Sequence, residues 1–211
     1  MPRTFVDKSI WNAPFAVNNV NATSLGEISP YFATLGSPGQ ITYGSQDDGG
    51  KRLALTLSEI ANYTYTTNGT LYEGVYEPVQ VDSSATAANI YTGACAYYLF
   101  SNTSSSWVVT DSAHATSAAI PAGTFLNAVT PGNYTMIFVG GGRVNVKYTA
   151  SLTNGSPAIG DIIVTNGATA GSYDDQTSTT AIVANAFGIA TVAPASAGLT
   201  ACFVKDIITR I

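Results

Sequence analysis

From about residue 62 the apolar positions of this chain recur with a period of two, the spacing of strands with one buried face. Tyr63 and Tyr65 alternate with Thr64 and Thr66, and Asn68-Gly69 follows as a hairpin turn. The returning strand places Tyr72, Gly74, Tyr76, Pro78 and Gln80 on one face and Leu71, Val75, Val79 and Val81 on the other. Pro78 cannot donate a ladder hydrogen bond, so an edge or a bulge is expected there. Residues 90–100 and 107–110 read as further strands, and Val144, Val146 and Tyr148 alternate cleanly with polar neighbours over 143–149. Residues 51–60 fit a strand through Leu53, Leu55 and Leu57 or a short helical stripe through Leu53, Leu57 and Ile60, and we favour the strand. The chain closes with another apolar stretch, 205–211.

The most informative stretch is Gly123–Val139, read as a hairpin turning at Thr130-Pro131-Gly132-Asn133. It recurs 65 residues later as Gly188–Val204, with Gly123, Ala128, Thr135, Phe138 and Val139 falling on identical residues. Upstream, Gly93-Ala94-Cys95 and Gly160-Asp161-Ile162 open the two copies, giving similar strand–loop–hairpin units over 93–139 and 160–204. Two copies are too few for a solenoid, and the units could pair as halves of one barrel or sandwich. Gly140, Gly141 and Gly142 read as a flexible break, and residues 172–180, containing Asp174-Asp175, as a polar acidic loop.

Residues 1–50 lack either period and are interrupted by proline and glycine, so they read as an extended arm ahead of a β domain over 51–211. Phe5, Trp11, Phe15, Tyr31 and Phe32 are its candidate anchors, docking on their own domain or on a neighbouring subunit. The expected fold is therefore all-β, a β-barrel or β-sandwich with two similar units and an N-terminal arm.

Composition narrows the function more than the fold. Of 211 residues 45% are hydrophobic and only 10% charged, which suits a packed domain with a hydroxyl- and amide-rich surface. Eight Lys and Arg leave a net charge of −5, without the basic footprint of a nucleic-acid or anionic-membrane binder. No apolar run reaches transmembrane length, and the first residues lack the apolar core of a signal peptide.

The inventory of reactive groups is short. His114 is the only histidine and lies in a polar loop three residues after Asp111, with no nucleophile-elbow glycine pattern in the chain. Asp47-Asp48 and Asp174-Asp175 are adjacent pairs, whose side chains on a strand point to opposite faces, and they lack the spacing of a calcium loop. Gly140-Gly141-Gly142-Arg143 leads into a strand and is not a phosphate loop. Cys95 and Cys202 lie in apolar runs and are expected to be buried free thiols, a disulfide being the alternative. We expect no enzymatic activity, no metal and no cofactor.

Gly160-Asp161-Ile162-Ile163, Thr169-Ala170-Gly171 and Gly188-Ile189-Ala190 with Ala197-Gly198 form a pattern over about 130–211 that resembles tailed-bacteriophage capsid decoration (cement) proteins of β-barrel type. The resemblance implies a non-catalytic virion protein on the capsid exterior. It would bind the major capsid protein as a dimer or trimer and gain avidity from the lattice. The alternatives are a tail or head–tail minor structural protein, or a carbohydrate- or receptor-binding module using the tyrosines around residues 63–76.

Overall fold

The computed structural model describes residues 21–24, 53–55, 74–99, 108–111, 121–154, 156–165, 170–176 and 186–204, with backbone alone at 53–55, 75 and 78. The chain is all-β. Among the described residues the strands are β1 (Leu53–Leu55), β2 (Gly74–Val81), β3 (Cys95–Tyr98), β4 (Val108–Thr110), β5 (Pro121–Phe125), β6 (Tyr134–Gly140), β7 (Gly142–Lys147), β8 (Ile162–Val164), β9 (Asp174–Gln176), β10 (Ala186–Ala190) and β11 (Leu199–Val204).

The first sheet runs β1-β2-β4-β3-β5-β6, and β6 returns to pair with β2. Strands β2 to β6 therefore close into a five-stranded barrel, with β1 hanging on β2. The second sheet runs β7-β11-β10-β8-β9. A parallel bridge between Tyr148 and Tyr173 joins its two ends, through Tyr173 N–H to Lys147 O and Thr149 N–H to Tyr173 O, both 2.8 Å. Each repeat thus recruits the strand before it and closes its own barrel. The expectation that the two units are halves of one barrel is corrected: a barrel has no open edge left to pair with another half.

The two barrels share one register. Thr124 faces Phe138 and Phe125 faces Ile137 in the first; Ile189 faces Phe203 and Ala190 faces Cys202 in the second, each 65 residues on. Strand β3 meets β5 at Cys95–Thr124, Ala96–Gly123 and Tyr97–Pro121, and β8 meets β10 at Ile162–Ile189, Ile163–Gly188 and Val164–Ala186. Both pairings bulge at the same place, leaving Ala122 in one barrel and Phe187 in the other as the extra residue. The ladder of β2 with β6 is repeated by β7 with β11, Tyr76–Phe138 becoming Arg143–Phe203 and Gln80–Tyr134 becoming Lys147–Leu199. Even the parallel closure matches, Val81–Val109 against Tyr148–Tyr173.

Glycine is required at the bulge. A Cβ on Gly188 would stand 2.6 Å from the Phe203 carbonyl oxygen, and one on Gly123 would collide with the equivalent oxygen of Phe138. Pro78 sits where β2 is paired with β6 alone, between the stretches that meet β1 and β4, so its missing N–H interrupts no second ladder.

The interiors differ in filling. The first barrel encloses Val79, Val81, Ala96, Val109, Ala122, Phe125, Ile137 and Val139. At the matching positions the second has Val146, Tyr148, Ile163, Tyr173, Phe187, Ala190, Cys202 and Val204, all buried. The phenyl ring of Phe125 and the bulk of Ile137 are lost, and three aromatic rings at other positions, Tyr148, Tyr173 and Phe187, take up the space, Tyr173 packing 4.8 Å from Phe187 between ring centres.

Two local expectations are corrected. Asp174–Gln176 is strand β9 rather than part of a loop, because it pairs with β8 along its whole length and Asp174 is held by Thr153. Gly140–Gly142 is a one-residue connection between β6 and β7, with Gly141 at φ 74°, so it joins the barrels tightly instead of breaking the chain.

Candidate functional site

The buried titratable groups are arranged for structure. Cys95 and Cys202 are free and buried, and burial pushes both thiols up to about 12, which removes their thiolate form at neutral pH. Asp174 accepts hydrogen bonds from the Thr153 amide at 2.9 Å and from the Thr153 hydroxyl, holding the 151–154 loop to β9. Asp161 does the same for the next turn, accepting from Asn154 Nδ2 at 2.8 Å and Ala158 N–H at 2.7 Å. Asp175 is fully buried, and neither carboxylate oxygen accepts a hydrogen bond within normal geometry. Desolvation raises its pKa; the neighbouring Asn154 amide opposes the rise, while Asp174 and Asp161 reinforce it. Among the described residues no group of three or more His, Cys, Asp or Glu is placed to hold a metal ion, and no helix is long and apolar enough to cross a membrane.

The joint between the barrels is hydrogen-bonded through both backbone and side chains. The mouth of the second barrel seats on the outer wall of the first. Lys147 N–H donates to Gly93 O at 2.9 Å and Cys95 N–H to Gly171 O at 2.8 Å. The Tyr173 and Thr124 hydroxyls lie 2.7 Å apart, Tyr91 Oη donates to Ala170 O at 2.9 Å, and the Tyr97 hydroxyl donates to Thr165 O. The row Cys95–Thr124–Phe138–Tyr76, running across β3, β5, β6 and β2, is fully buried. Tyr76 packs edge-on against Phe138, ring centres 5.5 Å apart.

The same row on the second barrel reads Ile162–Ile189–Phe203–Arg143 across β8, β10, β11 and β7. Here Ile189 is 51% exposed and Phe203 43%, with Arg143 exposed beside Phe203. Ile159, just before Gly160, is 72% exposed. Single exposed apolar side chains are ordinary, but a row joined across hydrogen-bonded strands is a patch. This row is the candidate site. Sequence reasoning missed it because Cys202-Phe203 is apolar on both faces of the strand, so alternation does not say which residue points out; the repeat held the signal, since Phe203 falls on Phe138.

The proposed anchors Phe5, Trp11, Phe15, Tyr31 and Phe32 lie outside the described residues, as do His114, Asp47, Asp48, Tyr63, Tyr65 and Tyr72. Of the arm, Asn21–Ser24 is described. Ala22 bridges β6 through mutual hydrogen bonds with Tyr134, 2.9 and 2.8 Å. Asn21 Oδ1 accepts from Thr130 N–H and Asn133 Nδ2, both at 2.9 Å, pinning the segment to the Thr130–Asn133 turn. Tyr76 is fully buried, so it offers no face to a sugar.

Neither the protein-family models nor the curated proteins contain a match to this chain.

Proposed function

We propose that this protein is a virion structural protein, a capsid decoration protein that binds and stabilises a lattice of major capsid protein from the outside. The observation that carries the reading is a duplicated barrel whose distal wall is apolar and bare while its buried acids and thiols serve the scaffold. Recognition then belongs to outer walls and to the N-terminal segment rather than to a cleft. An acidic, weakly charged exterior suits protein contacts made many times over a symmetric shell. The bridge of Ala22 to β6 supports the arm reading, since it ties one point of the N-terminal segment to the first barrel; residues 1–20 are then the part we assign to the shell.

Removing residues 1–20 retains the Asn21–Ala22 anchor. Co-sedimentation with assembled major-capsid-protein shells is expected to fall to background, with the far-ultraviolet spectrum and melting temperature unchanged. Binding by the truncated chain equal to that of the full chain would exclude the arm as the docking element, and absence of binding by the full chain would exclude the decoration reading itself.

A further inference from the structure

We propose that the row Ile162–Ile189–Phe203 on the second barrel is a docking face for a second copy of this chain, and that the first barrel of that copy seats on it. The inference draws on the same bare wall as the decoration reading, but its test is separate, because self-association is read on the purified protein alone.

The internal symmetry supplies the occupant. On the first barrel the equivalent positions Cys95 and Thr124 already receive a five-stranded barrel of this chain, the second one, and Phe138 beside them is buried. The contact pivots on Gly93, where an added Cβ would meet Leu199 Cδ2 at 2.5 Å and Lys147 N at 2.9 Å. Its counterpart Gly160 keeps the same left-handed backbone, φ 95° against 83°, yet nothing lies within 4 Å of the equivalent position. The seat is therefore built twice and filled once.

The side chains of the empty seat have shifted toward apolar contact. Cys95 and Thr124, which bond the second barrel through a backbone amide and a hydroxyl, are replaced by Ile162 and Ile189. Such a surface needs no matched side-chain hydrogen bonds and gains by leaving water. Arg143 closes the row beside Phe203 and calls for an acidic partner. The mouth of the first barrel that corresponds to the docking mouth of the second runs through Gln80–Asp82, beside the Tyr134 that carries Ala22; Asp82 stands where Thr149 stands at the filled joint, accepts a hydrogen bond from the Ser84 hydroxyl and is partly exposed. Asp82 of one copy is thus the acid available to Arg143 of the next. The two faces in contact differ, so the association is heterologous and grows head to tail unless its rotation closes a ring.

The test is sedimentation velocity on the full chain over a hundredfold range of concentration. The wild-type protein is expected to self-associate reversibly. Phe203→Asp and Ile189→Asp are each expected to weaken association at least about tenfold while melting as the wild type does, and the milder Phe203→Ser serves if an aspartate disturbs the barrel. Asp82→Arg should weaken it too, and mixing Asp82→Arg with Arg143→Asp should restore it through the swapped pair. A wild-type chain that stays monomeric throughout, or a Phe203→Asp variant that associates as tightly as wild type, would overturn the proposal. So would loss of shell binding in Phe203→Asp with self-association intact, since the face would then belong to a different protein.

Discussion

The two barrels are built on one hydrogen-bond register yet present opposite outer walls. Phe138 and Phe203 occupy the same place in the same strand pairing, opposite Thr124 and Ile189. Phe138 is fully buried, whereas Phe203 is 43% exposed. Local strand geometry is thus preserved while burial follows the neighbours: the first wall carries a barrel at Cys95 and Thr124 and packs Tyr76 against Phe138, and the second wall has Ile189 and Phe203 exposed. In this chain, backbone register and surface role are specified separately, the first by glycines and bulges and the second by what docks.

The shared register is broken most severely at the bulge. Gly123→Ala and Gly188→Ala each drive a Cβ into a backbone oxygen of the neighbouring strand, which cannot rotate away. Each is expected to cost about 3 kcal/mol or more, read as a lower denaturant midpoint or failure to fold. If one variant were silent, the two bulges would not be equivalent.

The next contrast is between two tyrosines closing the second barrel. Tyr173 shares a hydrogen bond with Thr124 across the joint, whereas the buried Tyr148 hydroxyl has no hydrogen-bond partner. Tyr173→Phe should lower stability by about 1 to 2 kcal/mol in urea unfolding, and Tyr148→Phe should leave it unchanged or slightly higher. A loss at Tyr148 equal to that at Tyr173 would contradict this assignment of the joint.

Asp175 sharpens the comparison through pH. Its folded pKa is raised above the ordinary 3.8, so the folded state binds the proton more tightly than the unfolded chain. Stability contributed by this group is full below the unfolded value and is lost as pH rises through the folded one. Asp175→Asn should therefore stabilise the protein by about 1 kcal/mol at pH 7 and show no such gain near pH 3. A pH-independent effect would place the cause elsewhere.

The smallest effect concerns the hairpin turns. Gly132 has φ 90° in the first, and its counterpart Ala197 is held at φ 55°, the only non-glycine described residue in that region. Ala197→Gly should raise stability by at most about 1 kcal/mol, and Gly132→Ala should lower it by a similar amount, both read as shifts in melting temperature.

Much of this fold was legible in the chain. Alternation located β7, turn chemistry located the hairpin β5–β6, and five identities at a spacing of 65 exposed the repeat. The full extent of the repeat was hidden because its closing contacts are brief and distant in sequence: two parallel pairs, Gln80–Val108 and Val81–Val109, in one barrel and one bridge in the other. Strand β9 was hidden because Asp174-Asp175-Gln176 has the composition of a loop; tertiary hydrogen bonds, not propensity, make it a strand. The candidate wall was hidden because Ile189 and Phe203 look like core residues, and only the absence of a covering barrel makes them surface.

Hydroxyl-radical footprinting of the monomeric chain, with oxidation at Phe138 and Phe203 read by peptide mass spectrometry, tests the difference between the walls most directly. The two side chains share chemistry and strand position, so labelling reports burial alone. Phe203 is expected to label at least about tenfold faster than Phe138. Equal labelling of the two would contradict a covered first wall and a bare second one.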